Sequence, residues 1–257
     1  MSYLTLNNVS HHYFTKKGYT KALSDVSFSV EEGEFISVIG PSGCGKSTIL
    51  SLVAGILKNT AGEILFKQKP INQSGLEIGY MLQQDYLFPW KNIMENMLIG
   101  PKVKKANLNE AKETALALLD EVGLKNEADS YPDSLSGGMR QRVALARTLM
   151  TDPNVLLFDE PFSALDYQTK LRLENSVADL LKKHHKTAIL VTHDIGEAIS
   201  MSDRILLMGQ NPGTIVKRFE VPIEIRNEIP FKVRRHHKYQ SLFDNIWEEL
   251  NKNEAVS

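Results

Sequence analysis

Cysteine is almost missing: Cys44 is the single one in 257 residues. An internal disulfide is therefore impossible, and the count fits a reducing compartment. Long apolar runs are missing as well. Residues 155–158 and 188–191 are apolar for only a few positions, whereas a membrane-crossing helix needs about 20. The chain is not expected to span a membrane, and any membrane role has to pass through a partner. No charge of one sign dominates: 30 Lys and Arg against 31 Asp and Glu give a formal net charge of −1. That excludes a global basic field of the kind that marks nucleic-acid binding. Residues 1–10 lack a charged head followed by an apolar run, so no signal peptide is expected. Internal repeats and low-complexity segments are also lacking.

What is present is alternation. Short apolar runs alternate with helical patterns, which argues for an α/β layered fold. Phe35–Ile39 is a buried-strand pattern followed at once by a Gly-rich turn. Residues 155–158 and 188–192 are two further strand candidates, ending in Asp159-Glu160 and His193-Asp194. In open α/β sheets ligands sit at the carboxyl ends of the strands. All three strand ends carry reactive groups, so they are expected to converge on one site. From about residue 87 to 148 the pattern turns helical: Ala111, Ala115, Leu118, Leu119 and Val122 share one face, and Gly123 stands where a helix C-terminus favours glycine. A helix is also expected over residues 241–250; residues 222–230 give no pattern.

The turn Gly40-Pro41-Ser42-Gly43-Cys44-Gly45-Lys46-Ser47 matches G-x-x-x-x-G-K-[ST] after a predicted strand, and Thr48 opens a helical pattern. Glycines let the backbone wrap phosphate oxygens, and the loop N–H groups form an anion nest. Lys46 supplies a positive charge to the β and γ phosphates of ATP, and the Ser47 hydroxyl is a hard ligand for Mg²⁺. Asp159 is placed to hold Mg²⁺ through its water shell. Glu160 is placed to polarise an attacking water as general base. Leu135-Ser136-Gly137-Gly138-Met139-Arg140-Gln141-Arg142 carries an N-cap serine before an apolar helical pattern, a second anion site. One chain with one phosphate loop has no use for a second cradle. A head-to-tail homodimer does, each such helix capping the nucleotide of the other subunit.

With these motifs in this order, the chain resembles the nucleotide-binding domains of ABC transporters over about residues 4–222. The resemblance implies an α/β fold: a P-loop NTPase (RecA-like) core, the antiparallel β subdomain of ABC proteins, and a helical insert at about 87–148. Residues 1–222 form the nucleotide-binding domain on this reading, and 223–257 a short C-terminal extension. It also implies roles by matching position. Gln83, selected over Gln84 by its spacing to Pro89-Trp90, matches the glutamine that touches Mg²⁺ and water and senses the membrane subunit. Asp166 matches the aspartate that contacts the partner subunit. His193 matches the switch histidine on the γ-phosphate. Tyr13, with Phe14 beside it, matches the aromatic that stacks on adenine. Cys44 is expected to be a spectator whose alkylation blocks nucleotide by bulk.

The resemblance further implies a separate transmembrane permease, a solute-binding protein acting indirectly, and a peripheral place on the cytoplasmic face of the membrane. The segment Asp85-Tyr86-Leu87-Phe88-Pro89-Trp90 and the turn Asn211-Pro212-Gly213-Thr214-Ile215 are similar to those of importers of nitrate, sulfonate and taurine. Thiamine-precursor importers share much of this pattern. An exporter subunit with a separate permease and a soluble non-transport ABC ATPase are the alternatives. Phe88, Pro89 and Trp90 line a groove for a permease helix, or Trp90 staples the helical insert to the core. The basic run at 232–238 is expected to be a solvated segment, with lipid head groups or the permease as the sharper readings.

Overall fold

The structure is a computed structural model that describes residues 2–16 and 18–255. Its centre is a six-stranded sheet in the order β10-β9-β3-β8-β7-β6. Here β3 is Phe35–Ile39, β6 Ile78–Met81, β7 Val155–Asp159, β8 Thr187–Val191, β9 Arg204–Gly209 and β10 Thr214–Glu220. All neighbours run parallel except β10, which closes one edge antiparallel to β9. A second, antiparallel sheet has the order β2-β1-β4-β5, with β1 Leu4–Thr15, β2 Gly18–Val30, β4 Ala61–Phe66 and β5 Lys69–Pro70.

The continuous apolar runs in the sequence follow from burial of the central sheet on both faces. Side chains alternate along a strand. Val155, Leu157, Ile189, Val191, Leu206 and Met208 point toward the antiparallel sheet and helix α1 (Lys46–Val53). Leu156, Phe158, Ala188 and Leu190 point the other way, into a core shared with the helical segment. That segment contains α2 (Ile93–Met97), α3 (Ile99–Val103), α4 (Leu108–Glu121) and α5 (Gly137–Leu149). Gly123 takes φ +71° just after α4, the left-handed conformation that ends a helix at low cost in glycine.

Helix α6 (Tyr167–Lys183) follows β7 and α7 (Ile195–Met201) follows β8. The extension is more ordered than the sequence pattern suggests. Residues 222–230 hold α8 (Ile223–Arg226), then come α9 (Pro230–Val233) and α10 (His237–Ala255), which is longer than the expected 241–250. Ile225, Val233 and Ile246 are buried against Ile39, Ile195, Ile199 and Leu207 in a third apolar cluster. The basic run is not simply solvated. Arg234 is largely buried and makes a bidentate ion pair with the fully buried Glu174 at 2.7 and 2.9 Å, and Lys238 pairs with Glu224.

Candidate functional site

The carboxyl ends of β3, β8 and β7 lie side by side, so the turn after β3, Asp159-Glu160 and His193 emerge along one edge. A cavity of about 590 Å³ opens there. Its walls include Ser42, Gly43, Gly45, Lys46, Ser47 and Thr48 from the phosphate loop, Tyr13 from β1, and Glu160 and His193.

Gly45 precedes α1 at φ +98°, with no side-chain cap and no acidic residue in the first turn. The first N–H groups of α1 are therefore left for an external acceptor. Lys46 is almost fully buried, and its Nζ donates to the carbonyls of Gly40 (2.8 Å) and Pro41 (2.9 Å). Those bonds hold the ammonium over its own loop. Ser47 Oγ donates to Asp159 Oδ1 at 3.0 Å, and Tyr80 Oη donates to the other carboxylate oxygen at 3.3 Å. Burial pushes the Asp159 carboxyl above its ordinary range, against the two hydrogen bonds that pull it down. Burial, with Asp159 adding to it, pushes the Tyr80 phenol far up, so it stays a donor.

These oxygens fit Mg²⁺. Ser47 and Asp159 are hard donors already in contact, and a cation there would relieve a carboxylate held in a dry place. Among the described residues no group of three or more His, Cys, Asp or Glu forms a metal cage. Magnesium characteristically takes one or two carboxylates and completes its shell with water and substrate phosphates rather than an all-protein cage.

Glu160 sits at φ +49° with its N–H bonded to the Val191 carbonyl at 2.9 Å. Its Oε2 lies 3.3 Å from Nδ1 of His193, whose side chain is mostly exposed. Tyr13 lines the cavity, its hydroxyl 3.2 Å from Thr48 Oγ1. Phe14 is 74% exposed and packs with Tyr19 instead, so the cavity-lining aromatic is Tyr13.

Other expected residues stand elsewhere. Ser136 accepts from the Met139 N–H as N-cap of α5, outside the cavity. Gly137 and Gly138 follow it. A Cβ on Gly138 would sit 2.2 Å from Thr169 Cγ2, so the glycine leaves room for the Thr169 side chain of α6. Asp166 caps α6 by accepting from Gln168 and Thr169 at 3.1 Å. Gln83 donates from Nε2 to Ser163 Oγ at 3.0 Å. Gln141 is buried, and its Nε2 holds the Gln83 carbonyl at 2.8 Å, a tether to the Gln83 loop rather than a wall of the cavity. Arg140 and Arg147 bind the same loop, at Asp85 and at the carbonyls of Asp85 and Tyr86. Cys44 points away from the cavity: it is buried in the core beneath the loop, and burial raises its thiol pKa. The expected effect of alkylation there is therefore replaced by poor access.

Sequence reasoning missed Thr20, Lys21, Ala22 and Asn211 as cavity walls. The Asn211-Pro212-Gly213 turn stood out only as a subfamily feature. Gly213 donates to the Ala22 carbonyl, and a Cβ on it would lie 2.1 Å from the Cys44 carbonyl. The turn thus braces the phosphate loop from outside.

Residues 23–163 match the family model described as "ABC transporter". The chain belongs to the ABC transporter family. As an ABC ATPase it binds and hydrolyses ATP. It is 54% identical to the uncharacterized ABC transporter ATP-binding protein YtlC of Bacillus subtilis, over 98% of this chain and 96% of that one. It is 38% identical to the taurine import ATP-binding protein TauB of Roseobacter denitrificans, over 96% and 95%. Among solved structures, an ATP-binding cassette in a dimeric post-hydrolysis state bound to ADP and Pi superposes with a TM-score of 0.74. That match has 31% identity and covers 85% of this chain and 99% of that one.

Proposed function

We propose that this ABC ATPase energises a bacterial importer of small solutes of the nitrate, sulfonate and taurine kind, working as a head-to-tail homodimer on a separate permease. The observation that carries the dimer is the separation of two anion-binding features. The cavity holds the phosphate loop, Glu160 and His193, while Ser136 caps α5 outside it. A second subunit would bring Ser136, Gly137 and Gly138 to the γ-phosphate, with Asp166 at the seam. The taurine import relative and the dimeric cassette support this reading.

Each residue then has a task. The N–H groups of residues 42–48 and Lys46 bind the β and γ phosphates. Ser47, Asp159 and Gln83 would hold Mg²⁺, which supplies charge neutralisation at the phosphates. Tyr13 stacks on adenine. Glu160 orients a water for in-line attack on the γ-phosphorus and takes its proton as the bond to the ADP oxygen breaks. His193 donates to the γ-phosphoryl oxygens as charge moves onto them.

Coupling to the permease runs through the loop that follows Gln83. Trp90 is 70% exposed, with its ring centroid 5.2 Å from that of Phe88. Such exposure favours a docking role over a staple between insert and core. Buried Asn96 fixes the loop backbone by bonding the N–H and carbonyl of Phe88 and the carbonyl of Lys91. Among the described residues no helix is long and apolar enough to cross a membrane. The permease would therefore hold the chain peripherally at the cytoplasmic face.

The test is ATPase activity per subunit against protein concentration, with Glu160→Gln as control. Activity that rises with concentration and is lost in the variant, which traps an ATP-bound dimer, is the expected result. Constant specific activity across a range where the protein is monomeric would sink the shared-site reading.

A further inference from the structure

The residues that flank the switch histidine are held by charge, and the charge network ends in the C-terminal extension. Along α6, Lys170 and Glu174 stand four and eight residues after Asp166, on one helix face. Lys170 Nζ lies 2.5 Å from Asp194 Oδ2 and 2.5 Å from Glu197 Oε1. The Asp194 N–H donates to Thr192 Oγ1 at 3.0 Å, and the Thr192 hydroxyl donates to Glu197. Both chain neighbours of His193 are therefore fixed by this group, while the imidazole itself is mostly exposed.

One turn further along α6, Glu174 receives both guanidinium nitrogens of Arg234. Arg234 ends α9, which packs on α6 and α7. A Cβ on Gly196, in the first turn of α7, would lie 2.9 Å from Tyr239 Oη and 3.6 Å from Arg234 Nε. The extension thus sits directly on the helix turn that starts after His193. The five groups comprise three carboxylates and two cations, and the side chains of Glu174 and Glu197 are 0% and 3% exposed. Loss of either cation leaves a dry carboxylate without its ion-pair partner, which makes each pair costly to break.

We propose that Arg234 is a positioning residue for His193, and that Pro230–Val233 and the start of α10 hold the histidine at the cavity through Glu174, Lys170 and Asp194. The inference rests on the reading of His193 as the group that meets the γ-phosphate. The phosphate loop shares none of these charge contacts; Ile39, just before it, meets the extension in apolar packing with Ile225, Val233 and Ile246. Disturbing Arg234 therefore changes turnover and leaves ATP binding alone.

The experiment is a double-mutant cycle on the full-length chain, with hydrolysis rates at saturating ATP and KM measured for each variant. Arg234→Met is expected to lower kcat about ten-fold, a loss of the size that small misplacements of catalytic groups produce, with KM changed by less than about two-fold. In a His193→Ala background the same substitution is expected to change kcat by less than about two-fold, because the group it positions is gone. Arg234→Lys, which keeps charge but not the bidentate contact, is expected to recover part of the loss. Equal losses in both backgrounds, or no loss with His193 present, would overturn the proposal. Tyr239→Phe gives a milder variant should Arg234→Met not fold, with the same dependence on His193 expected at smaller size. Normal turnover in His193→Ala alone would instead remove the reading of His193 on which the inference stands.

Discussion

The Ser47 hydroxyl donates to the Asp159 carboxylate across 3.0 Å, joining the phosphate loop to the end of β7. Residues 112 positions apart in the chain thereby form one pair of hard oxygens. Because burial raises the Asp159 pKa, the cation that we propose for this pair competes with a proton. A proton gains occupancy as pH falls, so Mg²⁺ affinity at fixed nucleotide should drop on acidification, starting above the ordinary aspartate range. The check is calorimetric titration of Mg²⁺ at pH 7.5 and pH 5 against Asp159→Asn. The variant should bind about ten-fold or more weakly at the higher pH and show the smaller pH effect. An identical pH dependence in both proteins would contradict the pairing.

Lys46 is the only positive side chain of the phosphate loop, and its ammonium is held by two loop carbonyls. Replacing it with Met keeps the stem and removes the charge. Fluorescent ATP should then bind at least about ten-fold more weakly, since hydrogen bonds to charged partners contribute about 1.5–3 kcal/mol each. Unchanged binding would show that the backbone nest alone holds the phosphates.

Trp90→Ala should leave the isolated chain almost untouched. The ring is mostly exposed, and exposed substitutions change stability by about 0.5 kcal/mol or less. Thermal melting and basal ATPase activity are expected to match the parent, while assembly with the permease is lost. A variant that still assembles normally would remove the docking role. A large fall in melting temperature would restore the staple.

Cys44 should resist modification in the native state. Its thiol is buried and its pKa raised by that burial, so the reactive thiolate is scarce and shielded. Maleimide labelling is expected to be slow at pH 7.5 and to become fast on unfolding in denaturant. Rapid native labelling that ATP prevents would instead return the thiol to the nucleotide path.

The Glu174–Arg234 pair should leave a pH signature in stability. Burial already holds the Glu174 carboxyl above its ordinary value, with Arg234 pulling the other way. Removing the guanidinium raises it further. A group with a raised folded-state pKa contributes stability that is present below its unfolded pKa and lost as pH rises through the folded value. Arg234→Met should therefore be destabilised by about 3 kcal/mol at neutral pH, where the carboxylate is charged and unpaired. The deficit should shrink as pH falls through the carboxylate range. Denaturant melts at pH 7.5 and pH 5 test this, and a deficit that does not change with pH would exclude Glu174 as its source.

Much of this protein was legible in its residues because the relevant physics is local. The turn from Gly40 to Ser47 needs glycines, a lysine and a hydroxyl at fixed spacing, and chain order alone records that. Ser136 before an apolar helical face and Gly123 after one set helix ends by short-range hydrogen bonds and backbone freedom. The strands Phe35–Ile39, Val155–Asp159 and Thr187–Val191 stood out because strands buried on both faces are continuously apolar. What only the tertiary structure decided depends on contacts between distant segments. Tyr13 rather than Phe14 faces the cavity because of the register of β1 and the position of Thr48. Cys44 turns inward because the loop curls over a core supplied by other elements. Asn211 reaches the cavity because β9 runs beside β3. Arg234 is not a solvated charge because Glu174, 60 residues earlier, is fully buried and receives both of its guanidinium nitrogens. No local pattern encodes such a pairing, since burial is set by the packing of the whole chain.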